Sequence, residues 1–178
     1  MEGYCHILAW QNCKLHTWYK KNMIRFLASG CWTGYLPYMP GTWGSLVAIP
    51  LALVLAPYDW QVLLAVVVFI TLLGWGISQK LIEEDPTDTD PSYIVIDEIA
   101  GLLLTYCIIQ WFNASLTWPE LGIGFACFRV FDIWKPFPVG WVDRRLASSV
   151  STAGLGVMMD DLVAAVPAAV FAILILSV

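Results

Sequence analysis

The chain has 178 residues, of which 59% are hydrophobic and 13% are charged, and its formal net charge is −5. A typical soluble domain has about 45–50% apolar and about 25% charged residues, so this composition favours an integral membrane protein. The sequence contains no basic patch of the kind that binds nucleic acid, and its ten tryptophans suit the aromatic belts of a membrane.

The N-terminal part of the chain is polar and irregular. Residues 1–25 are mixed and basic, without the apolar core of a secretory signal, and are predicted to be a cytoplasmic tail. Residues 22–29 predict a short amphipathic helix that ends at Gly30. The Gly- and Pro-rich residues 30–45 predict an irregular loop, with Thr42 or Ser45 as the N-cap of the next helix.

Residues 26–178 are predicted to form a single membrane-embedded domain, an all-α polytopic bundle with about five membrane segments. These segments are Thr42–Ala56, Trp60–Ile82, Tyr93–Phe112, Trp118–Trp134 and Asp160–Val178. The first is shorter than the ~20 residues that a full span needs, and Pro50 interrupts it. A half-span, a kinked helix and a tilted helix are all compatible with it. The acidic residues 83–92 are predicted to be a solvated loop, and Gly154 and Gly156 to mark a hinge or a linker.

The basic residues predict the topology. All nine lysines and arginines fall on one side if the five segments alternate, because the turns at 57–59 and 113–117 contain none. The positive-inside rule then puts the N-terminus in the cytoplasm and the C-terminus outside. The same alternation brings four polar elements to the cytoplasmic face, namely the loop at 30–45 and one end of each of the last three segments.

Five carboxylates are predicted to meet at this face. Asp97 and Glu98 lie about one turn into the third segment, Asp132 lies near the end of the fourth, and Asp160 and Asp161 begin the fifth. Five such groups cannot all stay ionised together without a cation, and hard oxygen ligands suit Mg²⁺ or Mn²⁺. For the pair at the start of the fifth segment, stabilisation by the helix dipole is an alternative.

Three basic residues nearby are candidates for binding a phosphate group. Arg129 and Arg144 offer the forked guanidinium that grips phosphate, and Lys135 offers a point charge. The alternatives are a structural ion pair between Arg129 and Asp132 and anchoring of the other two at the membrane surface. The turn that contains Thr42 and Ser45 is a further candidate, because backbone N–H groups at a helix start bind phosphate.

The sequence offers no apparent covalent nucleophile for a phosphatase. No cysteine is followed six positions later by arginine, and both histidines, His6 and His16, lie in the N-terminal tail. The pair Asp88 and Asp90 has the spacing of an aspartyl-phosphate motif, but it follows a helix rather than a buried strand. Direct attack by a metal-activated water is therefore favoured.

Four blocks of the chain resemble the phosphatidylglycerophosphatase A family. They are PGTWGS at 40–45, VIDEIAG at 95–101, FRVFDIWKPFPVGWVDRR at 128–145 and GLGVMMDDLVAA at 154–165. The resemblance implies a Mg²⁺-dependent phosphomonoesterase of the bacterial inner membrane that converts phosphatidylglycerophosphate to phosphatidylglycerol and phosphate. It also implies an all-helical fold with one central helix surrounded by others, and the third segment is the candidate for that helix.

Under this interpretation, the five carboxylates hold Mg²⁺ and orient the attacking water, and the basic residues bind the terminal phosphate. Two other classes of membrane protein remain as alternatives. An ion or proton transporter would use the intramembrane carboxylates as a relay, but the outer half of the spans has no acid apart from Asp59 and Glu120 at its edge. A phosphatidyltransferase would need an aspartate-rich signature that is absent here. The sequence does not determine the oligomeric state, the number of metal ions or the selectivity against other lipid phosphates.

Overall fold

The structure is a computed structural model that describes residues 21–113, 115–134 and 150–177. Within these ranges all the regular elements are helical, which confirms the all-α prediction for them. They are α1 (residues 21–28), a 3₁₀ turn (Thr33–Tyr35), α2 (Pro40–Leu55), α3 (Trp60–Glu84), α4 (Ile96–Asn113), α5 (Trp118–Trp134) and α6 (Val150–Leu176). Most of the predicted basic tail and the candidate phosphate ligands Lys135 and Arg144 lie outside the described residues.

Two of these helices, α3 and α6, are long and apolar enough to cross a membrane. Their most apolar windows have mean hydropathies of 2.2 and 2.1, yet only 28% and 39% of those windows are buried inside the fold. Large apolar side chains such as Phe69 and Phe171 therefore face outward. Exposed apolar surface of this extent is typical of membrane-embedded helices. The arrangement with five spans stays a prediction.

Helix α4 lies among the others and contacts α2, α3, α5 and α6. Twelve of its 18 residues are buried, as expected for a helix that is apolar on every side. Its buried polar groups bond to neighbouring helices: the Tyr106 hydroxyl donates to the Leu121 carbonyl at 2.9 Å, and the Gln110 amide donates to the Tyr58 carbonyl at 2.8 Å. These bonds tie α4 to its surroundings.

Small residues let α6 approach α4 and α3 closely. Six alanines of α6 are fully buried, and they are Ala153, Ala164, Ala165, Ala168, Ala169 and Ala172. A Cβ atom on Gly101 of α4 would lie 2.9 Å from the Asp161 carbonyl oxygen. Close backbone contact of this kind is how membrane helices gain packing energy, because lipid tails are as apolar as the side chains.

The start of α2 corrects two sequence predictions. The helix begins at Pro40, so Thr42 and Ser45 lie inside it, and the prediction of either as N-cap is wrong. Residues 40–45 are likewise helical rather than part of an irregular loop. Proline is favoured at the first helical position, since its missing N–H has no partner to lose there. The helix also continues through Pro50 to Leu55 without a break.

Each of the two acidic pairs, Asp97–Glu98 and Asp160–Asp161, lies where the other was predicted to lie within its helix: the first pair near a helix start and the second in a helix interior. Helix α4 begins at Ile96, so Asp97 and Glu98 lie in its first turn rather than one turn inside. Helix α6 begins at Val150 rather than near Asp160, so its acidic pair lies in the helix interior. The helix dipole therefore favours the first pair, and it does not account for the second.

The glycines before the second acidic pair are packing positions rather than a hinge. Gly154 and Gly156 both lie within α6 and are buried. A Cβ atom on Gly154 would lie 2.5 Å from the backbone nitrogen of Gln79 on α3, and the Gly154 N–H donates to the Gln79 side chain at 3.1 Å. The predicted linker is wrong, because both glycines lie inside a continuous helix and Gly154 allows two helices to touch.

The short helix predicted before α2 is confirmed, whereas the loop predicted after it ends at residue 39 rather than at 45. A helix covers residues 21–28, and the chain then turns at Gly30, which has a φ of 52°. The end of this helix is bound to the segment before α4, since the Val95 N–H donates to the Ala28 carbonyl at 2.9 Å.

Candidate active site

A cavity of about 220 Å³ lies where the first turns of α2 and α4 meet the last turn of α5 and the middle of α6. We call it the acidic cavity. It is lined by all five predicted carboxylates, together with other residues of α2 and of the loop before α4. The lining residues are Pro40, Gly41, Asp90, Ser92, Ile94, Asp97, Glu98, Asp132, Asp160 and Asp161.

The lining of the acidic cavity changes from exposed to buried. Asp90 and Ser92 are exposed and form its rim. Asp97, Asp160 and Asp161 are buried, with 9%, 7% and 3% of their surface exposed. A group that enters the cavity from the rim therefore moves from water toward a partly dehydrated acidic floor, where electrostatic interactions are stronger.

Several carboxylate oxygens at this floor have no hydrogen-bond partner among the described residues. They are Oδ1 of Asp97, Oε2 of Glu98 and Oδ2 of Asp161. A buried charged oxygen without a partner is strongly destabilising, so such atoms call for a proton or a cation. The Asp161 N–H donates to Oδ1 of Asp160 at 3.0 Å, which holds these two neighbours in a fixed relation.

The chemistry of these oxygens fits a hard divalent cation such as Mg²⁺. Their arrangement is looser than that of a finished metal centre, however. Within the described ranges, no three His, Cys, Asp or Glu side chains are grouped closely enough to hold an ion together. The carboxylates thus line a common cavity without converging on one point.

Arg129 joins three helices beside the acidic cavity. Its Nη1 lies 2.7 Å from Oδ2 of Asp132 on the same helix and 3.5 Å from Oε1 of Glu98 on α4. It also donates to the Ser45 hydroxyl on α2 at 3.4 Å. Only 13% of the Arg129 side chain is exposed. This geometry matches the structural ion pair considered as the alternative to phosphate binding.

The first turn of α2 packs directly on the Glu98 carboxylate. A Cβ atom on Gly41 would overlap Oε1 of Glu98, and one on Gly44 would lie 2.7 Å from Oε2. The two glycines therefore allow the helix backbone to touch a carboxylate from another helix. The carboxylate is held between α2 on one side and Arg129 on the other.

The two hydroxyl residues of this turn do not line the acidic cavity. Ser45 donates to the Gly41 carbonyl at 2.9 Å and accepts from Arg129, so it bears on the cavity through other residues. The Thr42 hydroxyl is buried and has no partner among the described residues. The N–H groups of Thr42 and Trp43 both donate to the Met39 carbonyl, so they are not free for a phosphate.

Several residues that line the acidic cavity were not among the predicted site residues. Asp90, Ser92 and Ile94 reach the acidic cavity from the loop before α4, although the acidic part of that loop was predicted to be solvated. Gly41 and Pro40 line the cavity from the start of α2. The spacing of the loop residues carries no signal for this role, because their approach depends on how the loop folds back over α4.

Comparison with known proteins gives a consistent family. A family model described as Phosphatidylglycerophosphatase A matches residues 26–176. A protein of that name from Escherichia coli strain K12 is 35% identical over 148 residues, which cover 82% of this chain and 78% of that protein. One of the same name from Haemophilus influenzae is 36% identical over 155 residues, which cover 84% of this chain and 86% of that protein.

A third relative carries a different name. A Bacteroides thetaiotaomicron protein named as a candidate phosphatidylinositol-3-phosphatase is 36% identical over 146 residues, which cover 79% of this chain and 85% of that protein. No solved structure matches the chain significantly. The resemblance found in the four sequence blocks is confirmed, and the chain belongs to the phosphatidylglycerophosphatase A family.

Proposed function

We propose that this protein hydrolyses phosphatidylglycerophosphate to phosphatidylglycerol and inorganic phosphate. The observation that carries the proposal is the acidic cavity, in which carboxylates from α4, α5 and α6 meet in a chain of this family. The names of the Escherichia coli and Haemophilus influenzae relatives support the same activity. The substrate is a membrane phospholipid, so the enzyme acts where a lipid headgroup reaches the cavity.

Mg²⁺ is the proposed cofactor. Asp97, Glu98 and Asp161 would hold it through their unpartnered oxygens, and Asp132 and Asp160 line the same space. A bound Mg²⁺ would neutralise these acids, polarise the phosphate and make a coordinated water more acidic. The Asp and Glu side chains must move closer together than in the present arrangement for one ion to bind them at once.

The carboxylates also act as general base and general acid in the reaction. The water oxygen forms a bond to phosphorus while the bond from phosphorus to the glycerol oxygen breaks. A carboxylate that is not engaged by the cation accepts the proton of the attacking water, and a proton is returned to the glycerol oxygen as it leaves. The buried floor of the acidic cavity keeps bulk water away from this exchange.

Binding of the phosphate is assigned to cationic and polar groups around the carboxylates. Arg129 retains one guanidinium nitrogen, Nε, that is buried and has no partner among the described residues. We propose that this donor binds a phosphate oxygen when substrate enters, while Nη1 still pairs with Asp132 and Glu98. Lys135 and Arg144 are proposed to complete the phosphate site, with Thr42 and Ser45 supporting it from α2.

The protein is proposed to be a multi-pass protein of the bacterial inner membrane, with the acidic cavity facing the cytoplasm. The one-sided distribution of lysine and arginine supports this orientation. The exposed apolar faces of α3 and α6 support membrane embedding.

The direct test is phosphate release by the purified protein in detergent, with Mg²⁺ and with a chelator. We expect release from phosphatidylglycerophosphate only when Mg²⁺ is present. Phosphatidylinositol 3-phosphate serves as the competing substrate, because the Bacteroides relative bears that name. Faster phosphate release from phosphatidylinositol 3-phosphate would make that lipid the substrate in place of phosphatidylglycerophosphate. No release from any lipid phosphate would favour the transporter or the phosphatidyltransferase.

A further inference from the structure

The segment between α1 and α2 exposes large apolar side chains beside the acidic cavity. We call residues 30–39 the aromatic loop. Tyr38 is 90% exposed, Met39 is 60% exposed and Trp32 is 45% exposed. The patch continues onto exposed side chains of α1, such as Met23, and of α2, such as Trp43. Exposed apolar side chains thus lie on the loop and on both helices that flank it.

The backbone of the aromatic loop is held in an unfavourable conformation. Four of its residues other than glycine have positive φ: Cys31 at 60°, Trp32 at 71°, Tyr38 at 63° and Met39 at 54°. This left-handed region is uncommon for bulky side chains, because the Cβ atom crowds the backbone. Such conformations persist only where surrounding contacts enforce them, and they are concentrated at functional positions.

Contacts with the rest of the fold enforce this shape. The Tyr35 ring stacks on Tyr93 with 5.2 Å between centroids and 8° between planes, and Trp32 lies 5.5 Å from Tyr35. The Trp43 indole N–H donates to the Tyr38 carbonyl at 3.2 Å. The loop is thus fixed at both ends, with its most exposed side chains turned away from the protein.

Two connections place the aromatic loop next to residues that line the acidic cavity. Its last residue, Met39, immediately precedes Pro40 and Gly41, which line the cavity. Its stacking partner Tyr93 immediately follows Ser92, which forms part of the rim. The aromatic loop is therefore placed to meet the glycerol and acyl parts of a lipid whose phosphate lies in the acidic cavity.

We propose that the aromatic loop is a docking surface for phospholipid. The loop inserts among the headgroups of the bilayer and holds the acyl-glycerol part of the substrate. Tyrosine, tryptophan and methionine suit this place, because aromatic rings with one polar tip settle where apolar chains meet water. The inference rests on the proposed lipid phosphatase activity, and it adds a binding surface outside the carboxylates.

The test compares two substrates with the same headgroup. One is long-chain phosphatidylglycerophosphate in phosphatidylethanolamine vesicles that contain the reconstituted enzyme. The other is a short-chain, water-soluble form of the same lipid, assayed in detergent. The variant is Tyr38→Asn with Met39→Asn, because asparagine tolerates positive φ and preserves the loop backbone while the apolar surface is removed. Its matched control is Tyr58→Asn, an exposed tyrosine at the opposite end of the helices.

We expect the double variant to raise KM for the vesicle substrate about tenfold, as loss of apolar contact predicts. Its kcat/KM for the soluble substrate should stay within about twofold of wild type, as should both values for the control. Tyr38→Trp, which keeps an aromatic ring, should retain vesicle activity.

Two results would overturn the proposal. Equal losses on both substrates would mean that the loop only shapes the acidic cavity. Unchanged activity of the double variant on vesicles would mean that its exposed side chains do not bind lipid, and would leave a protein partner as the occupant. If the wild-type protein releases phosphate from neither substrate, the proposed function fails instead. Size-exclusion profiles that match wild type show that the variants are folded.

Discussion

Two cavities of equal size, each about 220 Å³, lie toward opposite ends of α4 and have opposite chemistry. The acidic cavity surrounds the start of the helix at Asp97. The second, which we call the apolar cavity, lies against its last turns. It is lined by Trp60, Leu64, Leu104, Cys107, Ile108 and Trp111. The same bundle therefore builds one space that calls for a charged ligand and one that does not.

The two ends of α4 differ in the charge of the buried polar groups that have no hydrogen-bond partner in the described part of the chain. Near the apolar cavity, the Cys107 thiol donates to the Trp60 carbonyl at 3.4 Å, and the Gln110 amide donates to two carbonyls of the turn after α2. One buried oxygen there, Oε1 of Gln110, has no partner among the described residues, but it belongs to a neutral amide. At the acidic cavity, by contrast, the buried oxygens without such a partner include those of the Asp97 and Asp161 carboxylates. The unpartnered groups at the acidic end are therefore the ones that call for a cation or a proton, because a buried carboxylate costs more to leave unpaired than a neutral amide.

The largest effect is expected from Asp161→Asn. The change keeps the shape of a 3% exposed side chain but removes one charged oxygen from the acidic cavity. Phosphate release should fall roughly 10²–10³-fold. The site would hold Mg²⁺ less firmly, so the negative charge that develops on the transferring phosphoryl group would be less well stabilised. Asp59→Asn, the same substitution in the turn before α3, should keep full activity. Wild-type turnover by Asp161→Asn in the release assay would remove this residue from the site.

Gly41→Ala should cause the next largest loss. The added methyl would overlap Oε1 of Glu98, so the carboxylate must move by about an ångström. Displacement of that size costs as much as ~100-fold in rate. Gly76→Ala is the matched control, since a Cβ atom at that helical position meets nothing within 4 Å.

The Gly76→Ala control should be as active as wild type and slightly more stable, as expected for alanine in a helix interior. Thermal unfolding in detergent and kcat/KM measure the two quantities. Equal activity of both glycine variants would show that the position of Glu98 does not matter for catalysis.

Arg129→Lys should produce a smaller loss, about tenfold. Lysine keeps the charge, but its ammonium lacks the planar guanidinium geometry that places Nη1 within reach of both Asp132 and Glu98. Because these acids would then be less well held, the Mg²⁺ concentration for half-maximal activity should rise along with KM. The control is Lys21→Gln, which breaks the exposed ion pair with Glu84 and should change neither value. An unchanged Mg²⁺ dependence in Arg129→Lys would show that Arg129 does not position the carboxylates.

The smallest effect on activity is expected at the apolar cavity. Leu104→Ala enlarges that space, so the unfolding temperature in detergent should fall. The loss of stability should be less than the ~2–5 kcal/mol of a fully buried leucine, because Leu104 is only partly buried. Phosphate release should stay within about twofold of wild type. A large loss of activity would contradict the separation of the two cavities.

Helix boundaries show where local sequence patterns were insufficient. The residues after Val150 include Gly154 and Gly156, which weaken a helix in isolation and predicted a linker. In the fold, α6 starts at Val150 because Ala153 and Met158 are buried in contact with α3 and its neighbours. Packing therefore outweighs the low helix propensity.

The start of α4 was placed too early for a related reason. Residues 93–95 are apolar and continue the pattern of the helix, so the pattern predicts that they belong to it. Their N–H groups are used elsewhere: Ile94 bonds to the Pro91 carbonyl, and Val95 bonds to Ala28 of α1. A contact with a helix some 70 residues away thus decides where α4 begins, and no local pattern contains that information.

The amino-acid sequence by itself determined the helical class, which five carboxylates belong to the candidate site, and the family, because hydropathy, spacing and motif are properties of neighbouring residues. Only the tertiary structure decided that these carboxylates share one cavity with Asp90 and Ser92, and that Gly41 touches Glu98. It also decided that Arg129 joins α2, α4 and α5. These relations depend on how closely helices approach one another, and that distance is set by the packing of residues far apart in the chain.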